Sequence, residues 1–150
     1  MKIQLLNFSF ILIIPLFINS CVKKTEFDSF RYQSGGFGIE DYNFIVNNDS
    51  TFTLKVGINL LSNDSANIGI YRGKVNSEQM EHIQRAVSKI TQKGYDYHDP
   101  EFTLDAGNYE IGINLSNSIK VYKTDNATEN FNIDLINPIN KICEEISTRK

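Results

Sequence analysis

Hydrophobic and polar side chains alternate along the first half of the chain, the pattern of β-strands that have one buried and one exposed face. Residues 42–46 place three large hydrophobic side chains on one face, and residues 51–58 place four. Residues 47–50, two asparagines, an aspartate and a serine, favour a turn because Asn and Asp tolerate the left-handed conformation. The pattern predicts a hairpin here and a further strand over residues 68–75.

The pattern then changes to the period of an amphipathic helix. Hydrophobic side chains follow at spacings of three and four residues: Met80, Ile83, Val87 and Ile90. Asn76 or Ser77 is a suitable N-cap, and Glu78 in the first turn complements the positive end of the helix dipole. Gly94 is a suitable stop. These features predict a helix over residues 78–91.

The second half of the chain repeats this order. Residues 95–106 have no regular pattern, and alternation returns over residues 109–121 with a turn at residues 116–117. The last stretch places hydrophobic side chains on one helical stripe: Leu135, Ile136, Ile139, Ile142, Cys143 and Ile146. Pro138 fits as the first residue of this helix with Asn137 as its cap. The hydrophobic stripe upstream favours an earlier start, and the sequence leaves both alternatives open.

The order strands, helix, strands, helix predicts a two-layer α+β domain. Clean alternation leaves one face of each strand in water, which is typical of a mainly antiparallel sheet that is covered on one face. Two amphipathic helices are the natural cover. The predicted inner face of the sheet comprises Phe52, Leu54, Val56, Tyr109, Ile111 and Ile113, and its predicted cover comprises Ile83, Val87, Ile139 and Ile142.

Composition indicates one globular domain, which we place at residues 27–150. Hydrophobic residues make up 41% of the chain and aromatic residues 11%, which argues against wholesale disorder. Residues 1–20 hold Lys2 and no carboxylate, so the rest of the chain has 14 basic and 18 acidic side chains, a formal charge of −4. This balance argues against a nucleic-acid partner. Two cysteines exclude a disulfide scaffold or a Cys-rich metal module, and we expect neither a metal nor a cofactor.

The amino terminus has the layout of a secretory signal over residues 1–20. One lysine precedes an apolar run over residues 8–18, which is shorter than the roughly 20 residues needed to span a bilayer. Ser20 then stands directly before Cys21. This junction resembles the lipobox of bacterial lipoproteins, and the resemblance implies a mature chain that begins at Cys21 and carries lipid on its thiol. The alternatives are a plain signal peptide and an uncleaved anchor.

The resemblance also implies a location on the cell envelope, with membrane lipid as the first partner. Residues 21–26 would form a short tether, and Val22 is not the aspartate typical of inner-membrane retention, which favours the outer membrane. If the first strand begins near residues 27–30, the tether has about six to nine residues and a reach of at most roughly 30 Å. We therefore expect the domain to work close to the membrane.

The layout of the whole domain is similar to a family of small secreted or lipid-anchored bacterial domains of unknown function. The residues that carry the similarity are Gly36, Phe37 and Gly38, the strand at residues 42–46, and the segment 71–75 that leads into the helix. The similarity would span residues 29–146. It implies the fold and brings no activity. Gly35, Gly36 and Gly38 precede a strand rather than a helix, so we expect a turn or bulge there and not a phosphate-binding loop.

The sequence offers few groups for catalysis, and we assign no catalytic residue. His82 and His98 are the only histidines, and no Gly-x-Ser-x-Gly segment is present. The helical period places His82 on the solvent side of its helix. Cys143 lies on the buried stripe of the last helix, where a free cysteine packs as a small hydrophobic residue.

The segment 95–102 is the strongest candidate for a ligand site. It holds three carboxylates and an imidazole among three aromatic rings: Asp96, His98, Asp99 and Glu101 are the candidate ligand residues. Such sets bind Ca²⁺, sugars or cationic groups in other proteins. The spacing matches no calcium loop, and the alternative is that the aromatic rings only pack the helix end against the sheet.

These observations favour a membrane-anchored binding or accessory domain without enzymatic activity, whose partner is an unidentified envelope protein or ligand. A first alternative is an envelope hydrolase that uses the carboxylates of residues 96–101. A second is an inhibitor or immunity-type protein that blocks a partner through the exposed face of the sheet. A flat patch containing Tyr71 or Tyr122 would favour this second alternative.

Overall fold

The computed structural model describes residues 25–36, 39–57, 67–93, 108–124 and 129–149. The strands are β1 (Ser29–Gly36), β2 (Ile39–Asn47), β3 (Thr51–Val56), β4 (Gly69–Lys74), β5 (Asn108–Leu115) and β6 (Ser118–Thr124). The helices are α1 (Ser77–Lys93), α2 (Glu129–Phe131) and α3 (Asn137–Thr148), with a π-helical segment at Asn132–Ile136 between the last two. Helix α2, the π-helical segment and α3 follow one another without a break, and together we call them the second helical run.

The six strands form one sheet in the order β4-β3-β2-β1-β5-β6, and every neighbouring pair is antiparallel. Helix α1 and the second helical run pack on one face, which we call the inner face. The predicted α+β fold of two layers is therefore confirmed. Both predicted hairpins are present, and β1 lies in the sheet between them.

The core lies between the inner face and the helices. Of the predicted inner residues, Leu54, Ile111 and Ile113 are fully buried, and the other three pack partly buried against them. All four residues of the predicted helical cover are buried. Strand β1 adds Phe30 and Tyr32, two of the largest fully buried side chains, to the centre of the sheet.

In the turn of the first hairpin, a serine adopts the left-handed conformation, whereas the sequence suggested that an Asn or Asp would do so. Ser50 has a φ of 68°, and its backbone N–H donates to the carbonyl of Asn47 over 3.0 Å. The Asp49 carboxylate accepts a 3.0 Å bond from the backbone N–H of Thr51 and a 2.6 Å bond from its hydroxyl. Asp49, the residue before Ser50, thus stabilises the turn through its side chain. Strand β3 ends at Val56, whereas Ile58, which was predicted to extend it, lies outside the described residues.

Helix α1 begins with a reciprocal cap. The side-chain carbonyl of Asn76 accepts a 2.8 Å bond from the N–H of Gln79, and the side-chain carbonyl of Gln79 accepts a 3.1 Å bond from the N–H of Asn76. Asn76 is therefore the N-cap, and the helix starts one residue before the predicted position. It continues to Lys93, and the predicted stop at Gly94 is outside the described residues.

The last helix adopts the earlier start that the hydrophobic stripe favoured. Asn137 is helical rather than a cap, with φ −60° and ψ −45°, and its N–H donates to the carbonyl of Asn132, five residues back. Pro138 lacks an N–H, and its ring would clash with the carbonyl four residues earlier in a regular α-helix. The wider π-helical turn immediately before Pro138 accommodates this ring without ending the helix.

The glycine segment before β2 contains the predicted irregularity. The register between β1 and β2 shifts between Ser34 and Gly35, which is a β-bulge. Gly36 is the last residue of β1, and Gly38 is outside the described residues.

Candidate functional site

The residues that the sequence marked for function lie outside the described part of the chain. Cys21 precedes its first residue, and Asp96, His98, Asp99 and Glu101 fall in the interval between α1 and β5. The lipid-bearing cysteine and the ligand segment therefore stay predictions. The structure describes the surface of the domain near Thr25, where the chain from Cys21 enters, and near the ends of α1 and β5, which flank the ligand segment.

The chain is attached to the domain from Thr25 onward. The Thr25 N–H donates a 2.8 Å bond to the hydroxyl of Ser88, and its hydroxyl lies 3.1 Å from that of Thr91. Phe27 is buried, with 5% of its surface exposed. Thr25 stands four residue steps after Cys21, a span of at most about 14 Å, whereas the predicted tether extends to residue 26. Strand β1 begins at Ser29 as predicted, but contacts with α1 hold the chain before the strand starts.

This attachment point lies on the helical layer, at the end of the sheet where both hairpins turn. The start of β1 pairs with the end of β2 and with the end of β5. Asp28 extends this pairing by one residue, since its N–H donates to the carbonyl of Asn114 over 2.8 Å and its carbonyl accepts from the N–H of Asn48 over 3.0 Å.

A groove separates α1 from the second helical run. These two helices are antiparallel: Gln79 Nε2 donates to Glu145 Oε2 over 3.0 Å near one end, and Lys89 pairs with Asp134 near the other. The groove has a volume of about 430 Å³. Its lining comprises Asn76, Glu78, Gln79, His82, Ile133, Asn137, Pro138, Lys141, Ile142 and Glu145.

The groove lacks the hydroxyl and thiol nucleophiles that many hydrolases use. None of its lining residues carries a hydroxyl or a thiol. His82 lies on the solvent side as predicted, with 46% of its side chain exposed, and its Nε2 is 3.9 Å from the Glu78 carboxylate. Gln79 is 3% exposed; its side chain caps α1 through Asn76 and joins the two helices through Glu145. The exposed Ile133 adds an apolar wall.

Three tyrosines and a cysteine form a buried cluster under α3. Tyr32 donates a 2.7 Å bond to the side-chain carbonyl of Asn140, and its ring stacks on that of Tyr109 at 6.4 Å. Burial raises the pKa of Tyr32 and of Tyr109, and burial with the nearby Glu144 carboxylate raises the pKa of Tyr42 to about 12. These phenols are therefore neutral packing groups at physiological pH.

Cys143 lies in the same buried cluster and is fully buried, as predicted. Burial raises the pKa of its thiol, and the neighbouring Glu144 carboxylate raises it further. A thiol with a raised pKa holds little thiolate, which is the nucleophilic form. Cys143 is therefore a packing residue.

The face of the sheet that points away from the helices, here called the outer face, is covered by no helix or loop among the described residues. One row of directly paired residues crosses the entire sheet on this face: Arg72, Thr53, Ile45, Arg31, Gly112 and Val121. Arg31 and Arg72 are exposed, and Ile45 and Val121 are 38% and 53% exposed. Sequence reasoning did not identify this row, because it depends on the order of the strands.

The outer face is positively charged although the chain as a whole is negative. Its described strand side chains include five exposed cationic residues: Arg31, Lys55, Arg72, Lys74 and Lys123. Glu110 lies among them on the same face, so these six side chains together carry a formal charge of +4. Lys123 Nζ lies 2.9 Å from Glu110 Oε2, and this hydrogen bond lowers the pKa of the Glu110 carboxyl.

The aromatic patch that would favour an inhibitor-type protein is not on the outer face. Tyr71 pairs with Leu54 and Tyr122 pairs with Ile111, so both tyrosines lie on the inner face, partly buried against the core. The outer face instead presents isoleucine and valine among its cations, namely Ile45, Ile70, Ile119 and Val121.

Within the ranges the structure describes, no helix is long and apolar enough to cross a membrane. Over the same ranges, no group of three His, Cys, Asp or Glu side chains is placed to hold a metal ion.

Comparison with known proteins finds no protein-family model and no curated protein that match the chain. The similarity to the family of small secreted or lipid-anchored domains therefore stays a prediction, as does the lipobox. Any functional conclusion must come from the surfaces of the domain itself.

Proposed function

We propose that the protein is a lipid-anchored cell-envelope protein whose domain binds a partner and carries out no chemistry of its own. The lipobox resemblance at Ser20 and Cys21 supports the anchor. The resemblance of its sequence layout to small secreted or lipid-anchored bacterial domains supports the same location.

The observation that carries the binding function is the outer face. A two-layer α+β domain needs only one face of its sheet for the core, and the other face is free to be wholly polar. Here it presents four exposed hydrophobic side chains among five cations: Ile45, Ile70, Ile119 and Val121. Exposed hydrophobic side chains that share one surface and are rimmed by polar ones mark a site of protein interaction.

The attachment of the tether leaves that face accessible. Thr25 contacts Ser88 and Thr91 of α1, so the chain leaves the domain on the side opposite the outer face. With at most about 14 Å between Thr25 and Cys21, the helical side of this end would stay near the bilayer. The outer face would then point toward the envelope space, where a protein partner can reach it.

An envelope hydrolase is the less supported alternative. The groove between the helices is the cavity to which such a site would be assigned, and its lining supplies carboxylates and His82 but no hydroxyl or thiol. Acid–base hydrolysis by the residues predicted at 96–101 is a separate hypothesis, and no described contact supports it.

The anchor is tested by replacing Cys21 with serine. We expect the processed wild-type protein to carry acyl chains by mass spectrometry and to fractionate with membranes. Cys21→Ser should lose both properties because serine cannot form the thioether to lipid. Two or more acyl chains at about 0.8 kcal/mol per buried CH₂ hold a protein at the bilayer almost permanently, so the shift should be nearly complete.

The matched control is Cys143→Ala, which removes the other cysteine. Cys143 is fully buried, so this variant should keep its lipid and its membrane fractionation. Wild-type protein found without acyl chains and outside the membrane fraction would overturn the proposed anchor.

A further inference from the structure

We infer that the outer face binds an acidic surface of a protein partner, with the paired row through Arg31 and Arg72 at the centre of the contact. This inference deepens the proposed function and rests on it. It specifies the chemistry of the partner: carboxylate side chains spaced among hydrophobic ones.

The charge of the face points to an anionic partner. Its five cations against Glu110 contrast with the formal charge of −4 for residues 21–150, so the positive charge is concentrated on one surface. Such a patch attracts a negative partner and increases the rate of association. Glu110 pairs with Lys123 and lies on β5 beside β1, where Arg31 also helps to lower the pKa of its carboxyl, whereas Arg72 lies on the opposite edge strand.

The two arginines favour carboxylates over a diffuse negative charge. A guanidinium donates two parallel hydrogen bonds to a carboxylate, and arginine is enriched in protein interfaces. Arg31 stands in the central strand β1, where its side chain already donates a 2.8 Å bond to Gln33 that orients it along the strand. Arg72 lies in the same row on the edge strand β4.

Hydrophobic side chains between the arginines match a protein rather than a polyanion. Ile45 separates Arg31 from the Thr53–Arg72 side of the row, and Val121 ends the row beyond Gly112. Ile70 is 57% exposed and Ile119 is 72% exposed at the two edges. Apolar side chains of a partner would bury these four residues, whereas phosphates would leave them in water.

The size of the face predicts a salt-sensitive interaction. Six strands about 4.8 Å apart and about six residues long at 3.3 Å each cover on the order of 500 Å². A standard protein interface buries about 800 Å² on each partner. The area is therefore small, and charge must supply a large share of the affinity.

Lipid is the less favoured occupant because of where the chain is attached. Thr25 is held on α1, on the opposite layer from the outer face, and the tether reaches at most about 14 Å. Laying the outer face on the bilayer would require this short tether to pass around the end of the domain.

The test uses a peptide of about 12 residues, in which leucines are interspersed among glutamates, as the acidic probe, and the processed protein held in nanodiscs of zwitterionic lipid. We expect the peptide to bind the wild-type protein and to bind more weakly as salt is raised. The variant Arg31→Gln/Arg72→Gln should bind at least about tenfold more weakly, because both central guanidinium groups are lost.

The matched control is Arg85→Gln/Arg149→Gln, which removes the same charge from two exposed arginines of the helical layer. This variant should change the affinity by less than about twofold. Both pairs should keep their circular dichroism spectra, since all four side chains are exposed. An equal loss in the two variants, or no binding of the peptide at all, would overturn the inference.

Two competitors separate the other occupants. Tighter binding of a 12-nucleotide oligothymidylate than of the peptide would overturn the inference in favour of a nucleic acid. Displacement of the peptide by phosphatidylglycerol vesicles would overturn it in favour of lipid headgroups. The proposed anchor fails by a different result, the absence of acyl chains at Cys21, so the two failures are distinguishable.

Discussion

Replacing Ile111 by alanine should lower the free energy of unfolding by about 2–5 kcal/mol, because the substitution removes a fully buried side chain from the core. Ile111 lies in β5, directly opposite Tyr32 of the central strand. A domain of this size has about 5–15 kcal/mol of stability in total, so a large part of it depends on this position. Urea denaturation followed by circular dichroism measures the change.

Ile119→Ala is the matched control, since it makes the same substitution on the next strand at a side chain that is 72% exposed. It should change the free energy of unfolding by less than about 0.5 kcal/mol. Equal effects of the two substitutions, or a larger effect of Ile119→Ala, would show that the register of this hairpin is shifted by one residue.

The folded protein should lose stability steeply between about pH 8.5 and pH 12. The cause is the buried cluster, where burial raises the pKa of the Cys143 thiol and of the Tyr32 phenol, and raises the pKa of Tyr42 to about 12. In the unfolded chain these groups release their protons near pH 8.5 for the thiol and near pH 10 for the phenols. The folded state retains protons that the unfolded state loses, so rising pH favours unfolding.

Each proton retained only by the folded state lowers the free energy of unfolding by about 1.4 kcal/mol per pH unit above the unfolded pKa. Urea denaturation at pH 7.5, 9 and 10.5 measures this slope. Cys143→Ala removes the thiol and should flatten the first part of the curve, between about pH 8.5 and pH 10. A free energy of unfolding that stays constant from pH 8 to pH 11 would contradict the burial of these groups.

The sequence was sufficient for most of the fold because alternation and helical period depend on local side-chain order. The hairpin at residues 42–56, the helix at Ser77–Lys93 and the two-layer arrangement all follow from that order. Burial of Ile83 and Ile139 against the sheet follows as well, because each helix has only one hydrophobic stripe to bury.

The sequence could not predict the local conformation of two segments, the helix around Pro138 and the turn at Ser50. Pro138 was compatible with a helix start, and the structure instead accommodates its ring through a π-helical turn within a longer helix. Ser50 adopts the left-handed conformation although Asn and Asp stand beside it, because Asp49 instead caps the backbone of Thr51. The turn at Ser50 thus depends on a local hydrogen bond that residue preferences alone do not predict.

The proposed binding surface was beyond sequence reasoning for a different reason. Arg31 and Arg72 are 41 positions apart in the chain, and only the strand order β4-β3-β2-β1 places them in one row. Attachment of Thr25 to Ser88 is likewise a contact between distant residues. The alternation of Phe30 and Tyr32 with Arg31 was the one available signal, since it marks Arg31 as a residue of the outer face.

The most direct test of a binding function on the outer face is photocrosslinking from two matched positions of the lipidated protein in its native membrane. Val121 on the outer face and Ile133 beside the groove are 53% and 58% exposed, so a photoreactive residue is equally accessible at either site. We predict that the reagent at position 121 crosslinks a second protein and that the crosslink weakens in Arg31→Gln/Arg72→Gln. A crosslink from position 133 with none from position 121 would contradict the account and assign binding to the groove.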